Sequence, residues 1–324
     1  MFEAKSMLFL CVETPLHAGT GRSLGTVDLP IQRERATGYP LVQASSVKGR
    51  LRAETKDMLD KDDWLTIFGP EQDSKEEGKQ SSDFGGALST GDARILLFPV
   101  RSLSGVFAWV TCVDVLARFQ REALGIGLKL DDGDKSKFVL PKEPGENGAQ
   151  IVNKNLLADD NNIVLEEFSF KAQVDPGLES LAKWLANHVL PQELTEYQYW
   201  RDNLASKLCI LPENAFRDFV LYGTEVQTHI ALDQQTKVVK EGALWTSESL
   251  PVDSILYAPV QSTPPRNPKR PVSVDEASKI LKAVIDLVEK KDSASQKTKL
   301  ARIHLGGDET TGQGVVALNF VGGK

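Results

Sequence analysis

Three cysteines in 324 residues are too few and too scattered for a disulfide framework or a zinc cage. Cys11 and Cys112 sit in the apolar contexts LFLCV and WVTCV, and Cys209 is remote from both, so buried thiols are expected. Histidine is nearly as sparse: His17, His188, His229 and His304 show no metal-ligand spacing, which leaves a zinc hydrolase without support. No apolar run approaches the roughly 18 residues of a membrane span, and Met-Phe-Glu-Ala-Lys-Ser lacks a signal-peptide layout. A cytoplasmic protein without a membrane partner is expected. G-x-x-x-x-G-K-[ST] and G-x-S-x-G are both missing, so a P-loop and a serine elbow have no foothold. A cationic excess is missing too: 38 Lys and Arg face 45 Asp and Glu, a net charge of -7 that argues at first against a nucleic-acid partner.

The charges that are present are segregated. Residues 1 to 52 hold seven Lys/Arg against four Asp/Glu, and 261 to 304 hold ten against five. The acid concentrates in 131 to 180, with eleven Asp/Glu against five Lys. Such a chain can present one basic face to a polyanion while remaining acidic overall; random clustering on a solvated surface is the plainer alternative.

The basic ends also carry the glycines. His17-Ala-Gly-Thr-Gly21-Arg22 is followed by Gly25-Thr-Val-Asp-Leu-Pro30 and then by Ser45-Ser-Val-Lys-Gly-Arg50. The far end answers with His304-Leu-Gly-Gly-Asp-Glu-Thr-Thr-Gly-Gln-Gly314, and two such loops suggest one shared surface. Backbone amides near Gly19, Gly21, Gly306, Gly307, Thr311, Gly312 and Gly314, with Arg22, Lys48 and Arg50, suit a phosphodiester backbone. A serine cap at Ser45 or Ser46 would open a helix whose positive end attracts anions. Asp28 is a lone carboxylate able to hold a hydrated divalent ion, Mg2+ or Mn2+, whose remaining ligands a bound phosphate would supply. Capping a turn before Pro30 is its plainer role. His17 is placed either to act on a ribose hydroxyl or to hydrogen-bond its own loop.

Residues 7 to 12 read as a buried strand, Ser45 to Asp60 as a helix with Val47, Leu51 and Met58 inward, and 93 to 99 with 106 to 112 as a hairpin through Ser104-Gly105. The polar stretch 71 to 86 reads as an exposed loop. Acidic loops and helical pieces at Leu178, Leu181, Leu185 and Val189 mark 118 to 205 as an insertion. Residues 228 to 257 read as a long hairpin that either projects or joins the core, and Ser273-Val-Asp-Glu276 as a capping box before a helix with Ala277, Ile280, Leu281, Val284, Leu287 and Val288 inward. This order is α+β, compatible with a ferredoxin-like or RNA-recognition-motif core in a single domain over 1 to 324.

Taken together with Val27-Asp-Leu-Pro-Ile-Gln-Arg-Glu34, Thr37-Gly-Tyr-Pro40, Ile67-Phe-Gly-Pro70, Asp92 to Ser102, Gly105 to Thr111 and Glu241-Gly-Ala-Leu-Trp245, these motifs resemble the RAMP superfamily of CRISPR proteins. Within it they are most similar to the backbone subunit of the type III-B effector, the Cmr complex. The resemblance is dense over the first 120 residues and weak from 120 to 205.

That resemblance implies an RNA-recognition-motif-like palm with a variable finger insertion and a projecting thumb hairpin. It further implies crRNA and target RNA as partners, helical stacking with copies of itself, other Cmr-type subunits, and metal-dependent cutting of the target once per subunit. Asp28 takes the position of the family's cleavage residue, and Ser46, Lys48 and Arg50 that of its guide-RNA surface. The hairpin sequence Thr246-Ser-Glu248-Ser departs from a pattern richer in Glu and Tyr, so no auxiliary catalytic role is expected there. Two alternatives stay open: a catalytically inactive RNA-binding scaffold, and a RAMP that processes precursor RNA without metal.

Overall fold

The computed structural model describes residues 2–70, 84–133, 136–266, 272–289 and 300–322. Most of the polar loop expected at 71 to 86, namely 71 to 83, lies outside the described residues, as does Asp134 of the acidic stretch. Strand β1 (Ala4–Val12) is buried continuously from Ser6 to Val12, without the alternation of a half-exposed strand, so both its faces are covered.

After β2 (Leu41–Val42) comes helix α1 (Ala44–Glu54), which buries Val47 and Leu51. Its boundaries correct the sequence reading. Gln43, not a serine, occupies the cap, no side chain caps there, and Asp92 accepts from the Ala44 amide at 2.9 Å. The helix does not reach Asp60: the Thr55 hydroxyl folds back on the Leu51 carbonyl, and the Asp60 carboxylate caps a separate helix, α2 (Lys61–Phe68), through the amides of Asp62 and Asp63. A carboxylate beside free N-terminal amides starts a helix more readily than it continues one. Met58, expected inward, is exposed.

Strands β3 (Leu88–Thr90), β4 (Ala93–Ser102) and β5 (Val106–Cys112) follow, the last two as the expected hairpin with Phe98 opposite Val110. Helix α3 (Val113–Gly125) drives Phe119 between Phe9 and Tyr257, with ring centroids 5.8 and 5.0 Å away. Residue 118 therefore falls inside a helix. Beyond it, β6 (Gly148–Ile151), β7 (Asn162–Leu165), β8 (Phe168–Val174) and, after helices α4 (Leu178–His188) and α5 (Gln198–Lys207), β9 (Leu208–Leu211) follow; these strands are hydrogen-bonded into the main sheet, β9 running parallel to β5.

Helix α6 (Glu213–Tyr222) leads to β10 (Glu225–Leu232) and β11 (Val239–Ser249), a separate two-stranded antiparallel ribbon. The hairpin thus begins before residue 228 and ends before 257. Ile255, Leu256 and Tyr257 belong to β12 (Ile255–Ser262), a buried strand paired with β1. Helix α7 (Ala277–Glu289) buries the expected face, but Ser273 does not cap it: its hydroxyl and amide both bond the Asp63 carboxylate.

Strands β13 (Arg302–His304) and β14 (Val315–Val321) complete a mixed sheet in the order β13-β14-β1-β12-β4-β5-β9-β6-β8-β7, with β2 on β4 and β3 on β12. Val12 at the end of β1 pairs with Val316 near the start of β14. The loop leaving β1 and the loop entering β14 therefore emerge at the same end of the sheet, which positions the site.

Candidate functional site

The two glycine-bearing loops lock together through main-chain atoms. The Gly307 amide donates to the His17 carbonyl at 2.9 Å, and the Gly314 amide to the Pro15 carbonyl at 2.9 Å. Gly306 has φ 77°, and a Cβ there would stand 2.2 Å from the His17 oxygen, so this contact demands glycine both for conformation and for space. The expectation of one surface shared by the chain ends is met.

Between the joined loops and α1 lies a cleft of about 510 Å³. His17, Gly19, Gly21, Ser45, Ser46, Arg50, Gly306 and Gly307 all line it, joined by Gln32 and His304. Other expected residues stand outside that lining. The Lys48 amine, half-buried, donates to the Leu88 carbonyl at 2.7 Å, and burial holds its pKa below the usual lysine value. It does not project to solvent as expected. Thr311 donates to the Asp308 carbonyl, Gly312 ends the short 3-10 turn Glu309–Thr311, Gly314 packs on Leu305, and Arg22 is exposed on the loop before Asp28. Arg50 itself makes a two-pronged contact with Glu309, both bonds 3.0 Å, and a further one with Glu54 at 2.5 Å.

His17 is buried, with Nδ1 2.6 Å from the Glu248 carbonyl oxygen. A carbonyl only accepts, so Nδ1 carries a proton. The ring's Nε2 lies under Gly19, where a Cβ would come within 2.5 Å of it.

Asp28 lies beyond the cleft lining, on the base of the β10–β11 ribbon. Its Oδ2 accepts from the Thr246 amide at 2.8 Å and the Thr246 hydroxyl at 2.9 Å, while its own amide donates back to that hydroxyl at 3.0 Å. The Thr246 amide, then its hydroxyl, and more weakly Arg22 hold the exposed carboxyl below the ordinary aspartate value. Its carboxylate therefore contacts Thr246 rather than capping a turn at Pro30.

Glu248, two positions along β11, is the hub that sequence reasoning missed. Its carboxylate accepts from Arg33 at 2.5 Å, from the Thr224 hydroxyl at 2.8 Å and from the Ile31 amide at 3.0 Å. Glu248 and Arg33 are largely buried, an arrangement no local pattern signals because the partners are 215 residues apart. One strand thus touches His17 through Glu248 and Asp28 through Thr246. Among the described residues no three His, Cys, Asp or Glu side chains converge as a ready metal cage.

Comparison with known proteins places the chain as a whole. The Cmr endoribonuclease Cmr4 of Pyrococcus furiosus is 33% identical over 311 residues, 95% of this chain and 92% of the relative. The CMR subunit Cmr4 of Saccharolobus solfataricus is 24% identical over 97% of this chain and 95% of its own length. A crystal structure of oligomeric Cmr4 from Pyrococcus furiosus superposes with a TM-score of 0.69 at 28% identity, covering 98% of each chain. The model of the RAMP superfamily matches residues 10–317, the whole span from β1 into β14, and the chain belongs to that superfamily.

Proposed function

We propose that this chain is the crRNA-binding backbone subunit of a type III-B CRISPR effector and that it cuts the target RNA paired to its guide. The end-to-end likeness to a Cmr endoribonuclease supports the activity, and the oligomeric relative supports stacking of copies beside other Cmr-type subunits. Within the chain, one observation carries the reading: an exposed, ionised Asp28 fixed to the base of a hairpin that leaves the main sheet. The hairpin exposes Val226, Ile230, Leu232, Val238, Val239 and Leu244, the apolar surface a wedge between nucleotides needs. In this reading residues 1 to 324 form one RAMP domain with a ferredoxin-like, RNA-recognition-motif-like palm, fingers from 118 to 205 and the hairpin as thumb. The cytoplasm is its place of action, and no helix among the described residues is long and apolar enough to cross a membrane.

Guide RNA runs through the cleft, its phosphates met by Arg50, Ser45, Ser46 and the amides of the glycine loops, contacts that position RNA without reading sequence. A nucleotide held out of stack by the hairpin brings its 2′-hydroxyl into line with the adjacent phosphorus, a gain from orientation alone. Asp28 provides negative charge at that point. The same carboxylate suits a hydrated Mg2+ or Mn2+ ion, because its single exposed group leaves the rest of the ion's shell to water and phosphate oxygens. When bound, such an ion supplies charge stabilisation at the phosphate. His17, buried with Nε2 near Gly19 and Nδ1 on the Glu248 carbonyl, orients the loop that leads to Asp28.

Asp28→Asn tests this directly in complexes assembled on guide RNA. Guide affinity should stay within twofold while target cutting falls by roughly 100-fold or more, the scale of losing a group that acts on the reacting atoms. Undiminished cutting at every position by that variant would refute the assignment.

A further inference from the structure

We propose that Thr246 is the positioning residue for Asp28, its hydroxyl closing a two-way hydrogen-bonded ring that aims the carboxylate outward from the hairpin base. The inference rests on the reading of Asp28 as the cleavage carboxylate and assigns a role to a residue expected to have none.

The geometry begins with the backbone. In the β10–β11 ribbon Thr246 pairs with Thr228, and the main-chain groups of alternate β11 residues face away from β10. Those outward groups are taken by the loop from Asp28 to Ile31. The Leu29 amide donates to the Thr246 carbonyl at 3.0 Å, and the Glu248 amide donates to the Leu29 carbonyl at 2.9 Å. Leu29 and Ser247 form a parallel bridge, so this segment is a short third strand laid along β11. It needs a terminus, and Asp28 provides one. Where another strand residue would offer a carbonyl to the Thr246 amide, the Asp28 side chain supplies Oδ2.

The hydroxyl then does two things at once. It accepts from the Asp28 amide and donates to Asp28 Oδ2, which fixes both the main chain and the side chain of one residue. From Gly21 to Thr26 the preceding loop is exposed throughout; its Ser23 amide donates to the Asp28 carbonyl at 2.8 Å, which holds the main chain and leaves the carboxylate to Thr246. Oδ2 is fully engaged, and no hydrogen bond from the described residues reaches Oδ1, which is left for solvent and ligand. A reacting carboxylate must be held within about 0.5 Å of its productive position, and a misplacement near 1 Å can cost roughly 100-fold. The Thr246 amide and then its hydroxyl, both donating to Oδ2, favour the ionised carboxylate and hold its pKa below the ordinary aspartate value.

The test uses Thr246→Val and Thr246→Ser in complexes assembled with guide RNA, and single-turnover cutting of an RNA complementary to that guide. Valine keeps the β-branched shape and the amide donor; serine keeps the hydroxyl. Thr246→Val should bind guide normally and cut about tenfold or more slowly, and Thr246→Ser should recover the rate to within about threefold. Wild-type cutting in Thr246→Val, or serine as slow as valine, overturns the proposal. An Asp28→Asn control separates the two levels: if it cuts normally, the reading of Asp28 fails and this inference with it; if it is dead while Thr246→Val is normal, only the positioning role fails.

Discussion

His17 and Asp28 stand on one loop and bond the same strand, yet they are held in opposite ways. His17 is only 9% exposed, wedged between Gly19, Gly307 and the Glu248 carbonyl. Asp28 is open to solvent and fixed by one side chain and one amide of β11. The cleft side is a close approach of backbones that tolerates no added atom; the ribbon side is a strand edge with room around it. Holding RNA calls for a rigid surface built from many weak contacts, whereas cutting it calls for one group aimed at one bond. In the proposed function, the molecule separates these tasks along a single strand.

The largest expected effect breaks the rigid side. Gly306→Ala forces a Cβ to within 2.2 Å of a backbone oxygen at φ 77°, and should destabilise the fold by more than about 3 kcal/mol. Gly21→Ala is the matched control on the cleft but away from that close approach: φ is 93°, yet nothing lies within 4 Å, so only the conformational cost of about 1–2 kcal/mol remains. Thermal unfolding of the two variants compares them, and equal losses would erase the distinction between the two positions.

A smaller and more selective effect is expected on the ribbon. Replacing Asp233 to Lys237 by two glycines removes a largely exposed tip and should leave the unfolding midpoint nearly unchanged. Cuts mapped on a long target should nevertheless lose their regular spacing, because the nucleotide beside each hairpin is no longer held apart. Sharp, evenly spaced cuts would place the wedge elsewhere.

The smallest effect lies at the cleft mouth. Glu309 holds the Arg50 guanidinium as a phosphate would, and an ion pair this exposed is weakened by solvent screening. Glu309→Gln should therefore raise guide affinity by a few-fold, most clearly at low salt. A fall in affinity would mean that Glu309 holds the turn in shape rather than competing with RNA.

Local pattern made much of the scaffold legible. The apolar run at 7 to 12 is the buried C-terminal part of β1, the β4–β5 hairpin turns where Ser104 and Gly105 said it should, and α7 buries the face its spacing indicated. What stayed hidden depends on partners far away in the chain. Ser273 resembles a cap until Asp63, 210 residues earlier, takes both its hydroxyl and its amide. Lys48 and Arg50 look alike in sequence, yet one bends to the Leu88 carbonyl and the other lines the cleft. Of the expected site, the convergence of the glycine loops was readable because both follow strand ends; the Thr246 contact was not, since Asp28 finds it across 218 residues.

The separation of holding from cutting is tested most directly by measuring guide affinity over a salt series and target cutting at saturating guide, on the same complexes, for Asp28→Asn and Arg50→Ala. The account predicts a crossed result. Asp28→Asn keeps affinity and salt slope and loses cutting, while Arg50→Ala weakens affinity, lowers the log-log slope by roughly 0.7 and still cuts once loaded. Loss of both properties together in either variant would contradict it.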